Sequence, residues 1–374
     1  MSGIYIHIPY CKVKCHYCDF HFSTNQSSVD DMVEAICLEL TKRVGYLRGE
    51  DVSTVYFGGG TPSVLSKDQL ARILNTIQAT FVVKNDAEIT FECNPDDLSE
   101  TKLQELKSAG INRLSIGVQS FDDEVLKFMN RAHSSEEAVN SILLAQEIGF
   151  DNITADLIYG IPDKDLDYWE NQVNQMVELG IPHISAYCLT IEKNTVFGHK
   201  YDRGELQTPS DEATLQQFRR MIDTLTSHGY LHYEISNFAR KGFISQHNSA
   251  YWLGTTYLGV GPSAHSYDGD VRGWNISNNP QYIKKVLDSK SVFEVEYLTD
   301  RDKFNDYILT RLRTQWGADL EEIQKLGEGI DLTEFDEALE RHLDLQNIIL
   351  IKNTLRLSEH GKFIADKVAS DLFV

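Results

Sequence analysis

The N-terminal half of the chain alternates between short runs of apolar and β-branched residues and longer stretches in which apolar residues recur every three or four positions. The short runs predict β-strands and the longer stretches predict amphipathic helices. The predicted strands cover residues 4–8, 54–57, 88–93, 113–119, 153–159 and 183–191. The predicted helices cover about residues 29–47, 67–80, 99–109, 122–130, 135–148 and 166–179.

Several helix ends carry their own signals. Ser66 stands three residues before Gln69, and Ser134 stands three residues before Glu137, as in a capping box. Gly149 follows the end of a predicted helix, where the chain often adopts a left-handed conformation. These signals support the helix assignments.

Six β/α units in succession predict an α/β fold with a parallel sheet. Unusual residues cluster after the predicted strands, and enzymes built on β/α barrels place functional residues at the same strand ends. A partial (β/α)6 TIM-like barrel over residues 1–205 therefore fits better than a doubly wound sheet.

The alternation stops after about residue 205. Residues 206–290 begin with a helix at about 211–228 and then read as a loop-rich extension, dense in Gly, Asn, His and aromatic residues. Residues 291–374 predict a smaller C-terminal domain with helices at about 299–313, 318–326 and 331–343 and strands at 348–351 and 355–357. This order resembles a winged helix, but no basic recognition helix is present.

The formal net charge is −21 and the sequence pI is about 4.9. Such a surface repels phosphate backbones, so we expect no nucleic-acid partner. No apolar run is long enough to span a membrane, and the N-terminus lacks the pattern of a signal peptide. We therefore expect a cytoplasmic protein; peripheral membrane contact through a partner stays open.

Three of the six cysteines, Cys11, Cys15 and Cys18, fall in a loop after the first predicted strand. Thiolates select zinc, copper(I) or iron–sulfur centres. A zinc site would need a fourth ligand, such as His16 or His21, and the distant cysteine pair of many structural zinc sites is absent. A [4Fe–4S] cluster on three cysteines would leave one iron open. The spacing favours the cluster and leaves zinc as the alternative.

The wider sequence around these cysteines resembles the radical S-adenosylmethionine (SAM) superfamily. Within it, the chain resembles the branch that holds oxygen-independent coproporphyrinogen III oxidase and the heme chaperone family HemW. The resemblance rests on Tyr5-Ile6-His7-Ile8-Pro9-Tyr10-Cys11, Tyr56-Phe57-Gly58-Gly59-Gly60-Thr61-Pro62-Ser63, Glu92-x-Asn94-Pro95, Leu114-Ser115-Ile116-Gly117-Val118-Gln119-Ser120-Phe121 and Asp156-Leu157-Ile158-Tyr159-Gly160-Ile161-Pro162. It implies a barrel of the radical SAM type and a cluster whose open iron binds SAM.

The resemblance also implies the residues that hold SAM. They are Tyr5, Tyr17, Gly59, Gly60, Thr61, Glu92, Gln119, Arg131 and Asp156. Glycines at a strand end let a ligand approach the backbone. Glu92 is suited to pair with the ammonium group, Arg131 with a carboxylate, and Asp156 with ribose hydroxyls or an amine. Whether one or two SAM molecules bind stays open.

Two features separate the oxidases from the chaperones. The oxidases have a further cysteine at the position of Phe20, which this chain lacks. His247-Asn248-x-x-Tyr251-Trp252 resembles an element of the chaperones. In it His247 could ligate heme iron while Tyr251 and Trp252 stack on the porphyrin. His265 is a second candidate ligand. The alternative interpretation is that His247 is a hydrogen-bonded histidine and Trp252 a core residue.

The resemblance implies a heme chaperone that delivers heme to an acceptor protein, which the sequence does not identify. The alternative is a radical SAM enzyme, an oxidoreductase that cleaves SAM reductively and decarboxylates the propionate side chains of a porphyrinogen. The residues alone leave both open.

Overall fold

The computed structural model describes residues 2–374, and six parallel strands form its centre. They are β1 (Ser2–Ile8), β2 (Val52–Gly59), β3 (Val83–Cys93), β4 (Arg113–Gln119), β5 (Ile153–Tyr159) and β6 (His183–Cys188). The helices that connect them are α1 (Val29–Lys42), α2 (Lys67–Thr80), α3 (Glu100–Ser108), α4 (Asp123–Phe128), α5 (Ser135–Glu147) and α6 (Leu166–Glu178). Each strand pairs with the next in sequence, so all six predicted units are confirmed.

The predicted helix signals are also confirmed. Ser66 forms a capping box with Gln69 at the start of α2, and Ser134 does so with Glu137 at the start of α5. Gly149 follows α5 with a φ of 91°. The strands are buried along most of their length, and Ile4, Phe57 and other strand residues form the main core. Such burial is expected when helices cover one face and packed side chains fill the other.

The next part of the chain extends the sheet on both sides. Its elements are α7 (Val196–Asp202), α8 (Asp211–Ser227), β7 (Leu231–Glu234), β8 (Asn237–Ala239), α9 (Gln246–Trp252), β9 (Tyr257–Val260), β10 (His265–Tyr267), β11 (Val271–Asn275), α10 (Asn279–Leu287) and β12 (Phe293–Tyr297). β8 pairs antiparallel with β6, and β9 pairs parallel with β1, so the six-stranded barrel stays open. The result is one sheet of 12 strands. Residues 206–290 therefore carry more regular structure than the sequence indicates.

The remaining elements form a smaller unit with its own core. They are α11 (Asp300–Leu312), β13 (Ala318–Asp319), α12 (Leu320–Leu326), α13 (Thr333–Asp344), β14 (Ile348–Ile351), β15 (Thr354–Leu357), α14 (Glu359–Phe363) and α15 (Ala365–Asp371). The three strands pair in the order β13-β15-β14. Phe304, Leu355 and Val368 belong to the core of this unit. The helices and hairpin match the predicted winged-helix-like arrangement. β12 pairs with β11 in the large sheet, and α11 is the first element packed in the core of the smaller unit.

Among residues 2–374, no helix is long and apolar enough to cross a membrane.

Candidate cofactor and ligand site

The three clustered cysteines lie in the loop that leaves β1 at its C-terminal end. The Cys11 amide donates to the Ser23 carbonyl at 3.1 Å, which ties one end of the loop to the other. Cys11, Cys15 and Cys18 line a cavity of about 470 Å³. The same cavity is lined by Tyr17, Gly59, Gly60, Thr61, Glu92, Gln119, Arg131 and Asp156. The structure thus brings together every residue predicted to hold SAM except Tyr5, which faces a larger cleft described below.

The surroundings of the thiols suit an iron–sulfur cluster. The Thr61 hydroxyl donates to Cys11 Sγ at 3.4 Å, and Arg131 Nη1 donates to Cys15 Sγ at 3.4 Å. Burial raises the pKa of the Cys11 thiol to about 11. A metal centre would offset this cost by binding the thiolate, and the Arg131 cation would balance its charge.

A zinc site fits this loop less well. Among residues 2–374, no three His, Cys, Asp or Glu side chains stand close enough together to hold a single metal ion. Both predicted fourth ligands have other partners: His16 Nδ1 lies 2.9 Å from the Phe128 carbonyl oxygen, and His21 Nε2 lies 2.7 Å from Asn279 Oδ1. In a four-iron cluster each cysteine binds a different iron, so the sulfurs do not need to converge on one point.

The glycine run at the end of β2 lies against the end of β1. Gly59 has a φ of 108°, and a Cβ on it would lie 2.5 Å from the His7 ring. The Gly60 amide donates to the Ile8 carbonyl at 2.9 Å. Only glycine fits at residue 59, and its bare backbone leaves room for a ligand beside Glu92.

Two partly buried carboxylates in the cavity, Glu92 and Asp156, lack basic partners. Glu92 accepts hydrogen bonds from the Tyr56 hydroxyl at 2.7 Å and the Gly59 amide at 3.2 Å. No basic side chain of the described chain lies within ion-pair distance of Glu92 or Asp156. Burial raises the pKa of Glu92 to about 7 and that of Asp156 to about 6. A ligand that carries positive charge would relieve this cost.

Arg131 and Gln119 complete the cavity. Arg131 Nη2 donates to Asn94 Oδ1 at 2.8 Å and to the Gly117 carbonyl at 2.7 Å, while its buried Nε has no hydrogen-bond partner. Gln119 ends β4 with a φ of 68°, a backbone conformation that is costly for a residue other than glycine. The Arg131 side chain is therefore held in place, and its free Nε remains able to donate.

A second, larger cleft of about 1310 Å³ lies next to the cysteine cavity. Its walls come from β1, from the segment that runs from α9 to β11, and from the C-terminal unit. Phe20, Gly59 and Glu92 line both cavities. Phe20 is 70% exposed and stands at this junction. The aromatic residues of the cleft are Tyr5, Phe20, Tyr251, Trp252, Tyr257, Tyr267, Tyr307 and Trp316.

The predicted heme residues occupy different places. Tyr251 and Trp252 line the cleft, whereas His247 is only 1% exposed, inside the barrel. His247 Nδ1 lies 2.8 Å from Thr54 Oγ1, and Nε2 lies 2.9 Å from the Tyr251 hydroxyl. Burial lowers the pKa of His247 to about 3. This is the hydrogen-bonded histidine of the alternative interpretation, and iron ligation would require the Tyr251 bond to break.

Sequence reasoning missed most of the cleft. No sequence motif marks the five further lining residues, which are Tyr257, Tyr267, Tyr307, Arg311 and Trp316. The available signal was the density of aromatic residues between 251 and 274. Nothing in the sequence indicated that α11 would close the opposite wall.

Comparison with known proteins agrees with this geometry. Residues 5–175 match the model of the radical SAM superfamily. The heme chaperone HemW of Bacillus subtilis is 35% identical, with 98% of each chain covered. HemW of Escherichia coli is 34% identical, with 98% of this chain and 96% of that protein covered.

This chain belongs to the HemW family of heme chaperones, within the radical SAM superfamily.

A solved structure shows the same fold. Coproporphyrinogen III oxidase (HemN) from Escherichia coli, a radical SAM enzyme, aligns over 100% of this chain and 90% of its own, with 25% identity and a TM-score of 0.86. The predicted fold, a partial barrel with a smaller C-terminal domain, is therefore confirmed. The HemW relatives match over nearly their full length, so both cavities lie within the shared region.

Proposed function

We propose that this chain binds heme in the large cleft and passes it to an acceptor protein. It carries a [4Fe–4S] cluster on Cys11, Cys15 and Cys18, and an exchangeable SAM in the smaller cavity. The observation that carries the proposal is the junction of the two cavities at Phe20, Gly59 and Glu92. The smaller cavity would hold the cluster and SAM, and the adjoining cleft is large enough for a porphyrin. A heme chaperone with radical SAM cofactors needs both sites.

The smaller cavity supplies matched groups for SAM. The bound cluster would supply an iron with an open coordination position. Glu92 accepts from the ammonium group, Asp156 from ribose hydroxyls, and Arg131 donates to a carboxylate. Tyr17 and Thr61 line the cavity beside the cysteines, and Tyr5 lines the adjoining cleft.

The large cleft supplies what an iron porphyrin needs. Tyr251 and Trp252 offer flat apolar surface for the macrocycle. Arg272, Lys303 and Arg311 line the same cleft and can approach the propionates. The names of the relatives support heme as the ligand.

Anaerobic reconstitution followed by stoichiometry tests the proposal. We expect four irons and four sulfides per chain, as a [4Fe–4S] cluster contains, and one further iron after saturation with hemin. Replacing all three cysteines by serine should abolish the cluster and leave a folded protein. Weak, non-saturable hemin binding by the reconstituted wild type would contradict the chaperone function.

The likeness to HemN favours a second function, the oxidative decarboxylation of a porphyrinogen. An anaerobic assay with reductant, SAM and porphyrinogen separates the two. Steady formation of 5′-deoxyadenosine coupled to loss of substrate carboxylates would support the enzyme. A chaperone would bind hemin without that turnover.

A further inference from the structure

Three histidines line the large cleft, and they differ in what their ring nitrogens do. His7 is buried; its Nδ1 lies 3.2 Å from the Tyr5 hydroxyl and its Nε2 lies 3.0 Å from the His21 carbonyl oxygen. His21 Nε2 is hydrogen-bonded to Asn279, so only Nδ1, the ring nitrogen nearer its own backbone, is left to bind a ligand. In residues 2–374, neither ring nitrogen of His265 has a hydrogen-bond partner.

His265 stands on a rigid support and faces the cleft. It is the first residue of β10, which lies between β9 and β11 in the large sheet. Its strand partner is Trp274, whose ring centroid lies 6.2 Å from that of the imidazole. The side chain itself is exposed. A ligand atom on a strand of a sheet is held in place before binding, which favours precise geometry.

The electrostatic surroundings keep His265 in the form that binds metal. The side of the ring that packs against the sheet is partly desolvated, and this desolvation and the nearby Arg272 cation lower the pKa of the imidazole below its ordinary value. A neutral imidazole presents a lone pair to iron, whereas an imidazolium does not.

One cation of the cleft is also available for a propionate. Arg272 is paired with Asp306 at 3.1 Å, and Lys303 with Asp270 at 2.8 Å. Within the described residues, Arg311 has no carboxylate within ion-pair distance; it donates to the Leu253 carbonyl and lies over the Tyr307 ring. Arg311 is therefore the cleft cation best able to accept an anionic partner.

We propose that His265 is the axial ligand of the heme iron in this cleft, with Arg311 pairing with a propionate. The inference rests on the proposed heme binding and refines it, because it assigns ligation to an accessible imidazole rather than to the enclosed His247.

Hemin titration of the reconstituted full-length protein tests this assignment. In His265→Ala, we expect the absorption and electron paramagnetic resonance signature of histidine-ligated ferric heme to be lost, and hemin affinity to fall about tenfold or more. Added free imidazole should restore the signature. The matched control is His360→Ala, an exposed histidine on α14 outside the cleft, which should keep wild-type affinity and spectrum. Because His265 is exposed, its removal should leave the thermal unfolding midpoint unchanged.

The outcomes separate the two claims. If His265→Ala keeps the wild-type spectrum and affinity, the ligand assignment is overturned while heme binding stands. If the wild-type protein shows no saturable hemin binding, the proposed function itself fails. If Arg311→Gln weakens hemin binding while a porphyrin without carboxylates binds both proteins equally, the propionate contact is supported.

Discussion

The Glu92 carboxylate favours binding of a cationic ligand but destabilises the ligand-free protein, because an unpaired carboxylate is costly to remove from water. Its native pKa of about 7 lies above the ordinary value of 4.5. Between those two values the native state binds more protons than the unfolded state, so stability falls as pH rises through this window. Above pH 7 the whole cost is present, and below pH 4.5 it is absent.

We therefore expect Glu92→Gln to stabilise the ligand-free protein at pH 8 by about 1–3 kcal/mol and to weaken SAM binding. The gain should disappear near pH 4.5. Urea unfolding at both pH values, with and without SAM, measures both effects. An equal change in stability at pH 4.5 and pH 8 would contradict the electrostatic explanation.

His247 is a second residue whose environment fixes its role. Its two ring nitrogens join Thr54 to Tyr251, and its ring stacks on Tyr56 at a centroid distance of 5.0 Å. His247→Ala should lower the free energy of unfolding by about 2–4 kcal/mol, because it leaves a cavity and takes a hydrogen-bond partner from the buried Thr54 hydroxyl and from the Tyr251 hydroxyl. Urea denaturation measures the loss, with the exposed His360→Ala as a control expected to stay within about 0.5 kcal/mol of wild type. A loss below 1 kcal/mol for His247→Ala would show that the site relaxes around the missing ring.

At the scale of single elements, α9 depends on a distant strand. The Glu88 carboxylate lies on the buried part of β3 and accepts from the Gln246 amide at 3.0 Å and the His247 amide at 2.9 Å. A negative charge at a helix N-terminus is favourable, and Glu88 also lies 3.8 Å from the buried Arg113. A helix of only seven residues would not form alone in water.

Glu88→Gln should therefore loosen α9 and leave Arg113 without its charged neighbour. We expect a loss of about 2–4 kcal/mol in unfolding free energy, with faster amide exchange over residues 246–252 than in α5. Hydrogen exchange followed by mass spectrometry measures the local effect. Uniform acceleration in both helices would show a global loss of stability instead.

Whether an element is stabilised by residues near or far in sequence explains which elements the sequence could predict. Strands such as β4 and β5 can be predicted because each is a run of apolar residues. The helix starts at Ser66 and Ser134 can be predicted because capping depends on residues close in sequence. The elements from α9 to β12 were missed because they are short and are held by partners far away in sequence, as Glu88 holds α9. The cysteine cavity was predictable because Cys11, Gly59 and Glu92 belong to recognisable motifs. The cleft was not, because Tyr267, Arg311 and Trp316 meet only after folding.

At the scale of the whole molecule, two cores support one composite site. The main core carries the barrel, and a separate core around Phe304 carries the C-terminal unit. The large cleft takes one wall from each. A ligand in the cleft therefore contacts both units, whereas a ligand in the cysteine cavity contacts only the barrel.

The shared residues Phe20, Gly59 and Glu92 have a thermodynamic consequence. A ligand that shifts them on one side changes the free energy of binding on the other, and linkage requires the effect to be reciprocal. If SAM changes the dissociation constant of hemin by some factor, hemin must change that of SAM by the same factor.

We expect SAM to change the dissociation constant of hemin about fivefold or more. Phe20→Ala should make this change smaller. Titrating each ligand in the absence and presence of the other measures it in both directions. A factor of one in both would mean that the two cavities are loaded independently; a larger factor would make cofactor occupancy a control on when heme is taken up and when it is released.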